Sequence, residues 1–175
     1  MTLKTPNSNM EAASPDRDSL SDFDYEVNPV PSRVLVYEPE SHVASITLNR
    51  PKEGNTIDQE LAQDLMEACR RADRDENVRV VLLCGAGDVF CLGAEDYSSA
   101  RRVAGTVSAV QKPVIACVNG EALGQGLELA LACDIRLAAD NARFGLDHLA
   151  LGSIPGDGGT QFLPQIVGKG IALGL

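Results

Sequence analysis

The chain has 175 residues, of which 44% are hydrophobic and 23% are charged. It has no apolar run long enough to cross a membrane, which predicts a soluble protein large enough to bury a core. The formal net charge of −10 argues against nucleic acids and membrane surfaces as partners, because clustered Lys and Arg drive those interactions.

The N-terminal segment, residues 1–32, is rich in Ser, Asp, Asn and Pro and has few large apolar side chains. Such a composition cannot offset the entropy cost of ordering, so we expect a disordered acidic leader before a core domain over residues 33–175. The leader has no apolar run typical of a secretory signal, and its acidic residues argue against a mitochondrial presequence. We therefore expect a cytoplasmic protein.

Order is predicted to begin with two strands, over 34–37 and 42–48, which form a hairpin around the turn Glu38–Ser41. His42 then begins the second strand, exposed and without a chemical role. A capping box over Thr56–Gln59 predicts a helix. One face of that helix is expected to be buried, formed by Leu61, Leu65, Met66 and Cys69.

The next predicted elements are a buried strand over 78–84, a turn over 85–88 and a loop with the sequence VFCLGAED at 89–96. Gly93 and Ala94 can present backbone N–H groups at the end of this loop. A short helix is expected over 99–110.

The stretch from Lys112 to Thr160 is the most informative part of the chain. Its first element, 114–118, is a short apolar strand closed by an Asn-Gly turn. The turn Gly124–Gly126 then leads into a helix predicted over 127–133, which carries Glu128 in its first turn. An acid there suits the helix dipole, but glycines also let the backbone approach a ligand whose charge the helix amides can meet.

Further strands are predicted over 133–138 and 143–145, followed by helices over 160–166 and 169–175. Strands alternating with helices predict an α/β fold. The cysteines lie mostly inside apolar segments and show no CxxC spacing. This pattern predicts reduced thiols and argues against a zinc or redox site. They are Cys69, Cys84, Cys91, Cys117 and Cys133.

Four blocks of the sequence resemble the crotonase (enoyl-CoA hydratase/isomerase) superfamily. They are ITLNRPKEGNTI at 46–57, VFCLGAED at 89–96, KPVIACVNGEALGQGLELALACDIRLA at 112–138 and ARFGLDHLALGSIPGDGGTQFLPQIVGK at 142–169. They follow one another in the family's order. The resemblance implies a crotonase-like spiral of ββα turns, here without the C-terminal helices usual in relatives.

The resemblance also implies an active site that stabilises a thioester enolate. The backbone amides of Ala94 and Gln125 match the family's oxyanion hole, and Glu128 matches the first of two catalytic glutamates. The family often has glycine at the Gln125 position. His148 stands where hydratases have the second glutamate, and an imidazole can also exchange protons. A solvent-facing His148, which would leave Glu128 alone, is the alternative.

Substrate binding is implied for the backbone near Lys52, Glu53 and Gly54 and for the loop that holds Gly93 and Asp96. Gly124, at the start of the glycine turn, belongs to the same group. No metal and no cofactor is implied, because CoA enters as part of the substrate.

The functional expectation is an enoyl-CoA hydratase-like lyase acting on a short or medium acyl-CoA thioester through a stabilised enolate. An isomerase, decarboxylase or carbon–carbon hydrolase on the same scaffold is the alternative, as is a non-catalytic binding subunit. Relatives build trimers with their C-terminal helices, so we expect a homo-oligomer if the full chain is longer. The apolar end, Ile171–Leu175, is expected to be exposed in an isolated monomer.

Overall fold

The computed structural model of the protein describes residues 35–97 and 102–174. The leader expected over residues 1–32 lies outside the described residues, as do the first residues of the helix expected over 99–110. The described strands are β1 Leu35–Glu40, β2 Val43–Leu48, β3 Val80–Gly85, β4 Val114–Val118, β5 Glu121–Leu123, β6 Ile135–Ala138 and β7 Arg143–Gly145. The described α-helices are α1 Gln59–Arg74, α2 Ala104–Ser108, α3 Gln125–Leu131, α4 Gly159–Val167 and α5 Lys169–Ala172, and 3₁₀ turns span Pro51–Glu53 and Asp147–Leu151.

The strands form two sheets. The larger has the order β1-β2-β3-β4-β6, in which β1 is antiparallel to β2 and all other neighbours are parallel. The smaller pairs β5 with β7 in parallel. Parallel neighbours need helical or looped crossovers, and the helices between these strands supply them. The α/β class predicted from the sequence is therefore confirmed.

The hairpin is confirmed, but its turn is placed differently. β1 continues through Pro39 to Glu40, which is possible because β1 is an edge strand and proline's missing N–H costs no ladder bond there. The turn falls at Ser41 and His42, whose φ angles are 49° and 71°. His42 is exposed and its Nδ1 lies 2.7 Å from the Asn77 oxygen.

The predicted capping box is wrong in its details. Asp58, not Thr56, is the N-cap of α1, and its Oδ1 accepts from the Leu61 amide at 2.7 Å. The Thr56 hydroxyl donates instead to the Glu53 oxygen. A carboxylate at the N-cap also suits the helix dipole. The helix buries the predicted apolar face, apart from the half-buried Met66.

The core lies between one face of the large sheet and α1. Alternate residues of β2, β3 and β4 point into it, among them Ile46, Leu48, Val81, Leu83 and Val118, all at most 1% exposed. Complete burial of one such side chain stabilises the fold by about 2 kcal/mol. The opposite face of the sheet is half-buried or exposed and carries Ile135 and Leu137 on β6.

Three short elements were not predicted, one of which is the 3₁₀ turn Pro51–Glu53. β5 follows the Asn-Gly turn directly, and the 3₁₀ turn Asp147–Leu151 follows β7. Three residues are too few for a periodicity signal, so only pairing with β7 reveals β5 as a strand. None of the helices in the described ranges is both long enough and apolar enough to span a membrane.

Candidate active site

The loop after β3 is held against the entry to α1 by backbone bonds. Ile57 and Ala94 form an isolated parallel bridge, in which the Ile57 amide donates to the Gly93 oxygen at 2.8 Å and the Glu95 amide donates to the Ile57 oxygen at 3.1 Å. These two bonds do not use the Ala94 amide. Its N–H therefore remains for a contact elsewhere.

A second backbone segment reaches the same place from the turn between β5 and α3. Gly124 has a φ of 51° and its amide donates to the Gly145 oxygen at 2.9 Å. A Cβ at Gly124 would collide with the Tyr97 hydroxyl, so the turn needs glycine for both its backbone angle and its close approach.

The amides of Ala94 and Gln125 converge on one atom, the hydroxyl oxygen of Tyr97. The Gln125 amide donates to it at 3.4 Å, and the Ala94 amide lies close enough to lower the pKa of this hydroxyl. Burial raises the pKa of the Tyr97 hydroxyl, while these two amides oppose the rise. The two residues proposed for an oxyanion hole thus present their N–H groups to a single oxygen position.

Glu128 is buried in the first turn of α3, where it is 1% exposed. Its Oε1 accepts from the amides of Asp157 and Gly159 at 2.9 and 2.8 Å. Gly159 begins α4, so this oxygen also satisfies an amide that the helix leaves unpaired. Charge-assisted bonds to one oxygen hold the carboxylate in a single orientation, with Oε2 facing His148.

His148 lies on the 3₁₀ turn Asp147–Leu151 and is also 1% exposed. Its Nε2 is 3.4 Å from Oε2 of Glu128, and its ring packs edge-on against Tyr97 with centroids 4.8 Å apart. The solvent-facing alternative for His148 is therefore wrong. Within the described part of the chain, neither ring nitrogen has a hydrogen-bond partner, which is costly for a buried group and typical of a functional site.

Asp157 connects these elements. It is 7% exposed, and its Oδ2 accepts from the amides of Val103 and Ala104 at 2.7 and 2.9 Å and from Gln125 Nε2 at 3.0 Å. The carboxylate thus joins the start of α2 to the start of α3, while its own amide holds Glu128.

The side chains converge on a cavity of about 180 Å³. Its lining contains Tyr97, Gln125, Glu128, His148 and Asp157, to which the structure adds Arg102, Ser153, Ile154 and Gly156. Nothing in residues 35–97 and 102–174 groups three or more His, Cys, Asp or Glu side chains so that they could hold a metal ion.

Gly93 and Gly124 both approach the Tyr97 hydroxyl of this lining, whereas the lining does not include Lys52, Glu53, Gly54 or Asp96, which were also expected to bind substrate. Lys52 and Glu53 are exposed on the 3₁₀ turn, and Gly54 ends it with a φ of 64°. The Gly54 oxygen accepts from the Leu92 amide at 3.0 Å, which ties this turn to the loop containing Ala94. Asp96 is exposed on that loop.

Sequence reasoning missed Tyr97 and Asp157. Asp157 stands in the motif PGDGG directly before α4, where a carboxylate among glycines could have been recognised as a partner for backbone amides. Tyr97 carries no local signal, because its importance lies in contacts with residues 28 and 51 positions further along the chain.

The cysteines are not among the residues that line the cavity. Burial raises the pKa of Cys69, Cys91 and Cys133 to about 12. For Cys84, the rise to about 12 comes from burial and from Cys117 on the neighbouring strand. Thiols with such values are protonated and unreactive near neutral pH.

Comparison with known proteins shows which family the chain resembles. Residues 38–175 match the family model described as enoyl-CoA hydratase/isomerase. The chain is 40% identical to (E)-benzylidenesuccinyl-CoA hydratase of Thauera aromatica and 38% identical to crotonyl-CoA hydratase of Syntrophomonas wolfei. Each alignment covers 79% of this chain and about 60% of the relative, so the chain spans less than two thirds of their length.

Solved structures give the same result. The enoyl-CoA hydratase of Bacillus anthracis is 37% identical, with a TM-score of 0.75 over 81% of this chain and 61% of that one. The enoyl-CoA hydratase of Mycobacterium tuberculosis H37Rv is 38% identical, with a TM-score of 0.75 over 80% of this chain and 62% of that one. The fold of the described residues is therefore the one these hydratases share.

Proposed function

The chain belongs to the enoyl-CoA hydratase/isomerase family, and from this membership we propose that the protein adds water across the double bond of an enoyl-CoA thioester. One observation supports this proposal most directly. Glu128 and His148 are both buried, with Oε2 and Nε2 3.4 Å apart, in a cavity that Gln125 also lines.

In this proposal the thioester oxygen takes the place of the Tyr97 hydroxyl oxygen between the amides of Ala94 and Gln125. Negative charge accumulates on that oxygen when a nucleophile attacks the β-carbon. Two amides already aimed at the position stabilise this charge without reorganising, and each such donor contributes about 3 kcal/mol to lowering a barrier.

Glu128 and His148 then move the protons. Glu128 Oε2 takes a proton from water while the water oxygen bonds to the β-carbon, and the double-bond electrons move onto the thioester oxygen as an enolate. The enolate collapses, and its α-carbon takes a proton from His148 in the imidazolium form. Glu128 returns its proton to His148 over the 3.4 Å contact, which restores both groups.

The remaining binding roles are proposals of the same kind. The backbone of Lys52, Glu53 and Gly54 borders the loop of Gly93 through the Gly54–Leu92 bond, and this edge is our candidate for the CoA portion. Gly124 would contact the thioester itself, because a Cβ there would meet the Tyr97 hydroxyl, whose place the thioester oxygen takes in this proposal.

An isomerase is the second candidate, and one observation favours it. Glu128 is the carboxylate of the cavity lining that contacts the imidazole, whereas Oδ2 of Asp157, the other carboxylate of the lining, already accepts from three donors. One carboxylate can carry a proton from one carbon of an enoyl group to another, and no water is then consumed.

Product analysis separates these functions. The protein is incubated with enoyl-CoA thioesters, and mass spectrometry reports whether water is gained or only the double bond has moved. Glu128→Gln keeps an acceptor for the Asp157 and Gly159 amides but cannot take a proton, so turnover should fall at least about 10³-fold while thioester binding stays within a few-fold. Unchanged turnover in this variant would remove Glu128 from the mechanism.

A further inference from the structure

Gln125 serves the site with two different groups. Its backbone amide faces the oxygen position between itself and Ala94. Its side chain, in a residue only 3% exposed, runs along the same cavity to Asp157 and donates to Oδ2 at 3.0 Å. A side chain that starts at the oxyanion position necessarily fills space next to the reacting carbons.

The far end of this side chain is anchored firmly. Oδ2 of Asp157 also accepts from two consecutive amides, those of Val103 and Ala104. All three groups donate to one charged oxygen, and hydrogen bonds to ionised acceptors are about twice as strong as those between neutral groups. The side chains of Gln125 and Asp157 therefore form a bridge between the starts of α3 and α2, and we name it the Gln125–Asp157 bridge.

We propose that the Gln125–Asp157 bridge is the end wall of the acyl-binding cavity and restricts this site to short acyl groups. The inference rests on the proposed function for the identity of the ligand as an acyl-CoA thioester. It adds the size of the acyl group and the residues that set it.

The position of the bridge agrees with this limit. Gln125 and Asp157 line the cavity together with Glu128 and His148, so the bridge stands beside the two groups that move protons in the proposed reaction. A medium-length chain would have to displace the bridge, which would leave the Asp157 carboxylate without one of its donors in a buried position.

Removing the Gln125 side chain tests the wall directly. Gln125→Ala keeps the backbone amide and shortens the side chain, whereas Asp157→Ala removes the other half of the bridge. Gln161→Ala is the matched control, because Gln161 is an exposed glutamine on α4. For each variant, kcat/KM is measured with crotonyl-CoA and with 2-decenoyl-CoA, and binding of butyryl-CoA and decanoyl-CoA is measured by calorimetry.

We expect the unaltered protein to prefer the short ligand in both measurements. Each additional methylene admitted to an apolar space improves binding by about fourfold. Admitting two or three methylenes should therefore raise the ratio of long-chain to short-chain affinity by at least about tenfold in Gln125→Ala and, in the same direction, in Asp157→Ala. Combining the two substitutions should add little, because both remove the same wall.

An unchanged ratio in a folded Gln125→Ala protein would overturn the inference, as would an equal change in Gln161→Ala. If Gln125→Ala does not fold, Asp157→Ala decides by the same ratio. The saturated ligands cannot be hydrated, so their affinities test the wall even if the proposed reaction is wrong. Chain-length preference in binding without turnover would contradict the proposed function alone.

Discussion

Nε2 of His148 lies 3.4 Å from Oε2 of Glu128, and both side chains are 1% exposed. The other oxygen of Glu128 is held by two backbone amides, so only Oε2 can exchange a proton with the imidazole. The pair is thus oriented by the backbone on one side and by the Tyr97 ring on the other. Its arrangement suits proton transfer better than stability, because buried ring nitrogens without partners are costly.

Replacing His148 by Phe should separate these two effects. The ring keeps its volume and its contact with Tyr97, but the group that exchanges protons is lost. Turnover should fall by about 10²–10⁴-fold, the usual contribution of a general acid–base group. The midpoint of thermal unfolding is measured in the same variant, because the substitution removes two ring nitrogens without hydrogen-bond partners but also removes the imidazole beside the buried Glu128 carboxylate, and these two changes act on stability in opposite directions. Full turnover in this variant would exclude His148 from the reaction.

The role of the Gln125 amide can be tested by comparing Gln125→Pro with Gln125→Ala. Both lose the bond to Asp157, but only proline lacks the N–H. Gln125 is the first residue of α3, a position where proline is tolerated in helices. We expect kcat in the proline variant to be about 10²-fold or more below that of the alanine variant. Equal rates in two folded variants would mean that the amide does not stabilise the transition state.

Tyr97 should compete with the substrate for the two amides. Tyr97→Phe removes the hydroxyl oxygen that accepts from the Gln125 amide, so the thioester oxygen has no bond to displace. A neutral hydrogen bond of about 0.5–1.5 kcal/mol corresponds to a KM lower by about twofold to tenfold. Steady-state kinetics with crotonyl-CoA measure this change. A large fall in kcat instead would show that the hydroxyl takes part in the reaction.

The buried thiols predict a loss of stability in alkali. Burial raises the pKa of Cys91 from 9.0 to about 12, so the folded protein holds its proton where the unfolded chain releases it. The stabilisation is complete below about pH 9 and is lost as the pH rises toward about 12, with a slope of up to about 1.4 kcal/mol per pH unit for each thiol.

Denaturant unfolding between about pH 8 and about pH 10.5 measures this slope. Cys91→Ala should reduce this slope by the contribution of one thiol. The variant is also less stable at every pH, because the substitution leaves a small cavity. An identical slope in the variant would show that Cys91 already titrates normally in the folded protein.

The C-terminal third of the chain exposes several large apolar side chains. Leu149, Leu151, Ile171 and Leu173 are 77%, 59%, 62% and 80% exposed. We expect the 175-residue chain to associate at micromolar concentration, because apolar surface is driven out of water. Light scattering of the chain and of an Ile171→Lys/Leu173→Lys variant should show less association in the variant.

Gln165→Lys is the matched control for that experiment, since Gln165 is exposed on the neighbouring helix α4. It changes the charge without removing apolar surface, so association should persist. A monodisperse monomer in the unsubstituted chain would contradict the prediction and remove the support for a homo-oligomer.

Much of the fold was readable in the sequence because its signals are local. The apolar run 114–118, the Asn-Gly turn after it and the glycines around Gln125 correctly predicted β4 and a helix with Glu128 in its first turn. These features depend on residue size, backbone freedom and short-range hydrogen bonds, all of which neighbouring residues determine. The resemblance of four blocks added the family, which the comparison with known proteins confirms.

Only the tertiary structure decided which groups face one another in the cavity. Asp157 meets Gln125 across 32 residues of chain and Tyr97 meets His148 across 51, and no pattern within one element encodes such distances. Contacts outside the helix also determine the N-cap of α1. Arg50 forms an ion pair with Asp58 at 2.7 Å, whereas the Thr56 hydroxyl donates to the Glu53 oxygen. The burial of His148 against Glu128 also depends on tertiary structure. It results from the packing of a 3₁₀ turn onto α3, and packing depends on the whole fold.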